Sequence, residues 1–133
     1  MRMKLHTDGG ARGNPGPGAG GIVLTDEKNK IVKELGTFFG VCTNNEAEYR
    51  ALILGLEAAK SFGANKLTVS LDSLLVVEQL NGNYKVKNQN LRKLWEEVQV
   101  LANKFDSIEF IHVRRENNAH ADKLVNEVLD AAE

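Results

Sequence analysis

The stretch that decides the fold is residues 7–24, which read TDGGARGNPGPGAGGIVL. Residues 16–21 within it satisfy the pattern G-x-G-x-x-G, which in dinucleotide-binding proteins follows a strand and opens a helix. Here the glycines lead into the apolar run of residues 21–25, which is typical of a strand, and two prolines remove amide donors that a phosphate cradle would use. We therefore interpret the stretch as a tight hairpin connection between two strands, with Asp8 at the end of the first.

Hydrophobic periodicity assigns the remaining elements. Alternating or short continuous apolar runs predict strands, and stretches rich in Ala, Leu and Glu without internal proline predict helices. The predicted strands are residues 3–8, 21–25, 31–39, 67–72 and 108–113, and the predicted helices are residues 44–62, 74–80, 91–105 and 119–132. This order predicts an α/β fold with a five-stranded mixed sheet, in which a three-stranded antiparallel meander is joined by parallel strands and helices cover both faces.

The composition is that of an ordinary globular protein, with 42% hydrophobic and 26% charged residues, and 133 residues fit one domain over residues 1–133. No apolar run approaches the roughly 20 residues of a membrane span, and the N-terminus lacks an apolar signal-peptide core, so neither a membrane partner nor secretion is expected. The single cysteine, Cys42, cannot form an internal disulfide, which fits the cytoplasm. Because the net charge is −1, any nucleic-acid partner must be held by local basic patches.

Two glutamates lie at the start of the helix predicted over residues 44–62, and their spacing separates their roles. Thr43 and Glu46 have the spacing of a capping box, in which Glu46 reaches back to the amide of Thr43, so Glu46 has a structural role. Glu48 lies on the leucine stripe that faces the sheet, where a carboxylate is costly without a partner or a metal. Glu48 is therefore a candidate functional residue, and the alternative is a half-exposed acid favoured by the helix dipole.

Three aspartates occupy comparable positions. Asp8 ends a predicted strand, Asp72 lies where a strand passes to a helix, and Asp122 lies on the apolar stripe of the last helix. Each also has a structural interpretation: turn initiation for Asp8, an N-cap for Asp72 and dipole compensation for Asp122. Together with Glu48 they are four acids able to meet at one place, where their repulsion requires a positive charge. Hard oxygen ligands favour Mg²⁺ or Mn²⁺, and the three histidines have no metal-ligand spacing.

Four motifs that contain these acids resemble those of the type 1 ribonuclease H family, in order and over essentially the whole chain. TDGGARGNPGPGAGG is similar to T-D-G-S-x-x-G-N-P-G-P-G-G, TNNEAEYRAL to T-N-N-x-x-E-x-x-A, and LDSLLVVEQLNG to S-D-S-x-x-V. The segment HVRRENNAHADKLVNEVLD is similar to a terminal segment ending N-x-x-A/C-D-x-L-A. The resemblance implies a ribonuclease H-like fold and places the family's catalytic metal ligands at Asp8, Glu48, Asp72 and Asp122.

The resemblance also implies an activity, the cleavage of the RNA strand of RNA/DNA hybrids with 5′-phosphate and 3′-hydroxyl products. Two Mg²⁺ ions, replaceable by Mn²⁺ and roughly 4 Å apart, would flank the scissile phosphate. Asp8, Glu48 and Asp72 would hold one ion, and Asp8 and Asp122 the other. The substrate-binding positions that the resemblance implies, several of them for reading the RNA 2′-hydroxyl, are Gly9, Gly10, Arg12, Asn14, Thr43, Asn44, Asn45 and Asn118.

The sequence departs from many bacterial family members in two loops. Many bacterial members carry a basic, Trp-containing handle between the helix after Asp72 and the next helix. This handle is absent here, because only the short segment of residues 81–85 precedes residues 86–88. Its absence predicts weaker and more salt-sensitive binding of nucleic acid. The loop at residues 114–117 is short and lacks the histidine of longer loops; His120 is a candidate substitute, although a surface role is the simpler interpretation. The remaining candidates for phosphate contact, each equally well explained as a solvated charge, are Arg12, Lys85, Lys87, Arg114 and Arg115.

Alternatives to this activity remain open at this point. Handle-less members resemble archaeal and some bacterial forms, a few of which also accept double-stranded RNA. A non-catalytic module that binds hybrids or double-stranded RNA is a different class of function, against which the four retained acids argue, because an uncharged replacement would relieve their repulsion. A junction resolvase or transposase of the same fold is disfavoured by residues 43–45 and Asn14. The leading expectation is a monomeric, metal-dependent ribonuclease H.

Overall fold

The computed structural model describes residues 1–133 and contains nine regular elements besides one 3₁₀ turn. The strands are β1 (Arg2–Ala11), β2 (Gly16–Thr25), β3 (Ile31–Cys42), β4 (Lys66–Leu71) and β5 (Ser107–His112). The helices are α1 (Asn44–Ser61), α2 (Leu74–Leu80), α3 (Gln89–Ala102) and α4 (Ala119–Ala131), the last preceded by the 3₁₀ turn Arg115–Asn118. No helix combines the length and the apolar character that a membrane span requires.

The five strands form one sheet in the order β3-β2-β1-β4-β5. β1, β2 and β3 pair antiparallel as a meander, and β4 and β5 continue the sheet in parallel beside β1. α1 packs on one face against β1 and β2, with α3 beside it, and α4 packs on the other face against the three strands of the meander. The predicted mixed sheet with helices on both faces is confirmed.

The main core lies on the α1 face of the sheet and contains 19 buried residues. Leu5 and Val69 from the sheet meet Leu52 and Leu56 from α1, all of them fully buried. This packing fixes the rotation of α1, so the next residue along the same stripe toward its N-terminus, Glu48, also faces the sheet.

The glycine-rich stretch differs from its predicted structure. β1 continues past Asp8 to Ala11, and β2 begins at Gly16 and not at residue 21. Only residues 12–15 form the connection, so the prediction that Asp8 ends its strand is wrong. Among the other elements, β3 runs three residues longer than predicted, to Cys42. α3 is shifted toward the N-terminus, because the Asn88 side chain caps it, and the remaining bounds agree to within one residue.

The glycines belong to the strands because helices lie directly on them. A Cβ atom at Gly9 would lie 2.3 Å from the carbonyl carbon of Ala47 in α1. On the other face, a Cβ at Gly21 would lie 2.4 Å from the carbonyl oxygen of Ala121 in α4. Close approach of backbone to backbone therefore overrides the low strand propensity of glycine.

Gly9→Ala is expected to lower the free energy of unfolding by about 1–3 kcal/mol, because the new methyl group meets helix backbone, which cannot rotate away. Gly10→Ala is the matched control, since its Cβ would meet only the Val125 Cγ1 atom at 3.9 Å. Urea denaturation of the three proteins measures the difference. Equal stability of the two variants would contradict this account of the glycines.

Candidate active site

The four predicted acids line one cleft of about 400 Å³, which lies where the parallel pairing of β1 with β4 ends. The last residue pair of these strands joins His6 to Ser70, so the strands separate just before Asp8 and Asp72. Three of the acids can each place a carboxylate oxygen within 4.8 Å of the others, namely Asp8, Glu48 and Asp72. Asp122 enters the same cleft from the first turn of α4. Acids from four separate parts of the chain thus share one small volume.

Glu48 is held rigidly at the floor of the cleft. The residue is 7% exposed, and the N–H of Gly9 donates a hydrogen bond to its Oε1 atom at 2.6 Å. Its other oxygen, Oε2, is buried and has no hydrogen-bond partner. An unpartnered carboxylate oxygen is costly in such a place, and next to two further carboxylates it is suited to a divalent cation.

Glu46 has the capping role that its spacing predicts. The amide of Thr43 donates to the Glu46 carboxylate at 2.9 Å, and the amide of Glu46 donates to the Thr43 hydroxyl at 3.1 Å. Both bonds of the capping box are present, and this prediction is confirmed. The two glutamates of α1 therefore have different positions, one at the helix end and one in the cleft.

Asp72 has no capping role, because the neighbouring residue performs it. The Ser73 hydroxyl accepts a hydrogen bond from the amide of Val76 at 3.3 Å and caps α2. The alternative interpretation of Asp72 as an N-cap is wrong, and its half-buried carboxylate lies toward Asp8 and Glu48 instead.

Asp122 is accompanied by a residue that the sequence analysis did not select. The side-chain amide of Asn126 lies 3.4 Å from Asp122 Oδ2 and also lines the cleft. The spacing of four residues on one helix was the available signal for this pair. His120, two residues before Asp122, pairs with Glu34 of β3 at 3.0 Å, which favours the surface role over a catalytic one.

Burial and crowding of like charges change the ionisation of the cleft. Burial raises the pKa of Asp8 well above its usual range, and the nearby carboxylates of Glu48, Asp72 and Asp122 raise it further. Burial also raises the pKa of Glu48, although the hydrogen bond from Gly9 opposes this shift. In the absence of a cation Asp8 therefore keeps its proton at neutral pH, and binding of a cation would release it.

Seven of the eight predicted substrate-binding residues line this cleft or an adjoining cavity. Those that line the cleft are Gly9, Gly10, Arg12, Asn44 and Asn45. The adjoining cavity of about 380 Å³, here called the amide cavity, is lined by Asn14, Thr43, Asn44, Asn45, Glu46, Asn88, Asn90 and Leu91. Asn14 accepts a hydrogen bond from the Asn44 amide at 3.0 Å, and the Asn44 side chain accepts one from Ala11 at 2.8 Å. These bonds fix the β1–β2 connection against the start of α1.

The two arginines of the cleft differ in their partners. Arg12 pairs with Asp130 at 2.6 Å and with Glu133, both near the end of α4, so part of its charge is already neutralised. Arg115 also lines the cleft, and its charge opposes the upward shift of the Glu48 pKa. Arg115 is therefore the better placed of the two to meet an anion beside the acids.

Asn118 does not line the cleft, so its predicted substrate contact is not supported by its position. The residue is 2% exposed, and its Nδ2 atom donates to the Thr7 carbonyl at 2.8 Å. It occupies the N-cap position of α4 without making a side-chain cap. Because Thr7 precedes Asp8, Asn118 joins the start of α4 to the strand that carries Asp8.

The sheet order and the acidic cleft together define a ribonuclease H-like protein. A family model described as "Reverse transcriptase-like" matches residues 6–128. The chain belongs to this reverse transcriptase-like family of ribonuclease H-like domains.

Several relatives match nearly the whole chain. The "Bifunctional protein Rv2228c" of Mycobacterium tuberculosis is 45% identical over 99% of this chain and 36% of its own length. The "Ribonuclease HI" of Halobacterium salinarum is 44% identical over 98% of this chain and 66% of its own length. The chain thus spans about a third of the mycobacterial relative and about two thirds of the archaeal one.

Solved structures agree with the fold at high similarity. The crystal structure of RNase H1 from Halobacterium salinarum NRC-1 has a TM-score of 0.96 at 43% identity, covering 98% of this chain and 99% of that one. LC11-RNase H1, which was isolated from compost, has a TM-score of 0.92 at 42% identity in its complex with an RNA/DNA hybrid, covering 98% of each chain.

Proposed function

We propose that the protein is a metal-dependent endoribonuclease that cleaves the RNA strand of RNA/DNA hybrids and leaves 5′-phosphate and 3′-hydroxyl ends. The observation that carries the proposal is the convergence of Asp8, Glu48 and Asp72 within 4.8 Å, with a buried Glu48 oxygen that lacks a partner. The relatives support the substrate: one solved relative is an RNase H1 in complex with an RNA/DNA hybrid.

We further propose that the cleft takes two Mg²⁺ ions, with Mn²⁺ as a substitute. Asp8, Glu48 and Asp72 would hold one ion, and Asp8 and Asp122 the other. Bound there, the ions would lower the pKa of an attacking water and stabilise charge on the leaving 3′-oxygen. The all-oxygen ligand set and the unpartnered Oε2 atom of Glu48 fit such ions.

The chain's own residues would prepare this site in three ways. The Gly9 amide fixes Glu48, so that its second oxygen needs no reorganisation to bind. Asp8 exchanges a proton for a cation, because its raised pKa keeps it protonated without one. Arg115, on the rim, would attract a phosphate that the acids alone would repel.

The substrate would extend from the cleft into the amide cavity. Asn44 and Asn45 border both spaces and present short polar groups suited to a ribose hydroxyl. The lack of a side chain at Gly10, where a Cβ atom would meet only the Val125 Cγ1 atom at 3.9 Å, leaves the backbone there open to close approach. Because all four acids come from one chain, we propose that a monomer over residues 1–133 is sufficient, and the lone buried thiol of Cys42 is consistent with the cytoplasm.

A cleavage assay on four labelled substrates tests this function: RNA/DNA hybrid, double-stranded RNA, single-stranded RNA and double-stranded DNA. Each is incubated with Mg²⁺, Mn²⁺ or a chelator. We expect cleavage of the hybrid's RNA strand with either metal and none with chelator, and the ends of the products should be 5′-phosphates. Binding of the hybrid without cleavage under every condition would instead favour the non-catalytic module. Cleavage of double-stranded RNA as well would widen the substrate class.

A further inference from the structure

A buried polar contact joins three helices and takes no part in the chemistry proposed for the cleft. Tyr49 of α1 is fully buried, and its hydroxyl donates a hydrogen bond to the Oε1 atom of Gln79 in α2 at 2.7 Å. The Gln79 carbonyl accepts a hydrogen bond from the Trp95 indole of α3 at 3.1 Å. Burial raises the pKa of Tyr49, so the hydroxyl keeps its proton and remains a donor. We call the pair Tyr49 and Gln79 the buried bridge.

The buried bridge connects the two segments that carry Glu48 and Asp72. Tyr49 directly follows Glu48 in α1, and α2 begins two residues after Asp72. Asp72 is the single residue between Leu71, where β4 ends, and Ser73, the N-cap of α2. Its backbone is therefore held on one side by the sheet and on the other by α2. A movement of α2 relative to α1 would change the separation of the two carboxylates.

The position of α2 depends on its tertiary contacts, because a helix of seven residues is too short to be stable alone. Val76, Val77 and Leu80 bury one side of α2 in the main core. Apolar burial of this kind is non-directional. A hydrogen bond, by contrast, weakens steeply when it is stretched or bent. The buried bridge therefore fixes the rotation and height of α2 beside α1 more narrowly than the apolar contacts do.

The stability of the core does not require a polar pair at this place. The desolvation of a hydroxyl and an amide offsets most of what their hydrogen bond gains, so such a bond contributes little net stability. Replacement of both partners by apolar groups of similar shape can be nearly neutral. Buried polar contacts can instead select one arrangement of the elements that they join. The elements joined here are those that lead to two of the four acids.

We propose that the two residues of the buried bridge are positioning residues, which hold Glu48 and Asp72 at the separation that a small divalent cation requires. The inference rests on the proposed function, because the cation is the one that the cleft would take. Neither Tyr49 nor Gln79 lines the cleft, so both act through the backbone of α1 and α2.

The choice of cation distinguishes positioning from simple loss of stability. Asp8, Glu48 and Asp72 can place their carboxylate oxygens within 4.8 Å of one another. Mg²⁺ demands near-ideal octahedral geometry with short bonds, whereas Ca²⁺ accepts longer bonds and irregular geometry. A small displacement of Asp72 relative to Glu48 should therefore weaken the binding of Mg²⁺ more than that of Ca²⁺.

The test removes the buried bridge and keeps all four acids. Tyr49→Phe deletes one hydroxyl and leaves the Gln79 amide without its partner, whereas Tyr49→Phe/Gln79→Leu replaces both partners with apolar groups. Val98→Ala is the control for stability, because it removes buried atoms from α3, which carries none of the acids. Tyr84→Phe makes the same chemical change at a tyrosine that is half exposed. Isothermal titration calorimetry of the chelator-treated chain measures the affinities for Mg²⁺ and Ca²⁺, and thermal melting in chelator measures stability.

We expect both bridge variants to bind Mg²⁺ about tenfold more weakly, at the lower end of what groups that support metal ligands contribute. The affinity for Ca²⁺ should fall by no more than about threefold. In cleavage of an RNA/DNA hybrid, kcat should fall about tenfold and KM should stay within about twofold, because no contact with the duplex is altered. The melting temperature should fall in Tyr49→Phe and recover in the double variant. Both controls should keep the parent's affinity for Mg²⁺ within about twofold, although Val98→Ala lowers the melting temperature.

Three results would overturn the proposal. Recovery of the parent's affinity for Mg²⁺ in the double variant, together with its stability, would mean that the bond only satisfies a buried amide. An equal loss of Mg²⁺ affinity in Val98→Ala would mean that any weakening of the core loosens the site. Equal losses for Mg²⁺ and Ca²⁺ would mean that the separation of the ligands is not what changed.

Failure of the proposed function is a separate result. If the parent binds Mg²⁺ without cleaving the hybrid, the proposed activity is wrong, whereas the comparison of affinities still decides the role of the buried bridge. If the parent cleaves and both bridge variants bind Mg²⁺ as tightly as the parent, only the positioning role is wrong.

Discussion

Asp72→Asn is expected to reduce cleavage of an RNA/DNA hybrid by about 1,000-fold or more while leaving the fold intact. The substitution removes one negative charge from a cluster in which three carboxylates lie within 4.8 Å, and an amide is a much poorer ligand for a hard cation. Metal stabilisation of the transition state amounts to several kcal/mol, and about 4 kcal/mol corresponds to a factor of 1,000. The fold should survive, because Ser73 and not Asp72 caps α2.

Single-turnover cleavage of a labelled hybrid in Mg²⁺ measures this effect, with circular dichroism and thermal melting to check the fold. Asp106→Asn is the matched control: it makes the same chemical change at an exposed residue before β5, at the opposite end of the parallel strands. The control should retain activity within twofold. Full activity in Asp72→Asn would show that this residue is not catalytic and would contradict the proposed mechanism.

The sequence predicted those features that depend on local rules. Glu46 and Glu48 are two residues apart, yet the capping box and the leucine stripe assign one to the helix end and the other to the sheet face, as the structure shows. The meander and the parallel strands followed from the order of the elements. The convergence of the acids was predicted from two strand ends and two helix starts, and it holds although β1 continues past Asp8 to Ala11.

Features that depend on long-range packing were not predictable in this way. Gly9 is a strand residue because α1 lies on it, and the nearest atom belongs to Ala47. Asn118 is buried because its partner is the carbonyl of Thr7, 111 positions earlier in the chain. Arg12 pairs with Asp130, 118 positions away. Local periodicity contains no information about such partners, so motif positions alone could not distinguish substrate contacts from structural ones.

Repulsion within the acidic cluster predicts a second large effect, on stability without metal. Asp8→Asn is expected to raise the free energy of unfolding of the metal-free protein by about 2 kcal/mol at pH 8. Burial, followed by the charges of Glu48 and Asp72, raises the pKa of Asp8 in the folded state. An asparagine side chain has nearly the same shape as the protonated acid and needs no proton to be neutral.

The pH dependence has a definite sign. Because the folded protein binds the Asp8 proton more tightly than the unfolded chain, stability from this group is complete below the unfolded pKa of about 4. It decreases as the pH rises from there toward the raised pKa of the folded state, since only the unfolded chain ionises in that interval. Burial of Glu48 also raises the pKa of that residue in the folded state, so it adds to the same loss of stability as the pH rises. The Asp8→Asn variant has no ionisable group at residue 8, so it should lose less stability than the parent over this pH range.

Urea denaturation in chelator at pH 4, 6 and 8 measures the difference between Asp8→Asn and the parent, with Asp106→Asn as control. The difference should be close to zero at pH 4 and increase toward pH 8, and the control should show no such trend. Saturating Mg²⁺ should reverse the order, because a cation that binds only the folded parent adds RT ln(1 + [L]/Kd) to its stability. A difference independent of pH would mean that Asp8 ionises normally in the fold, and the cluster would then not need a cation to neutralise it.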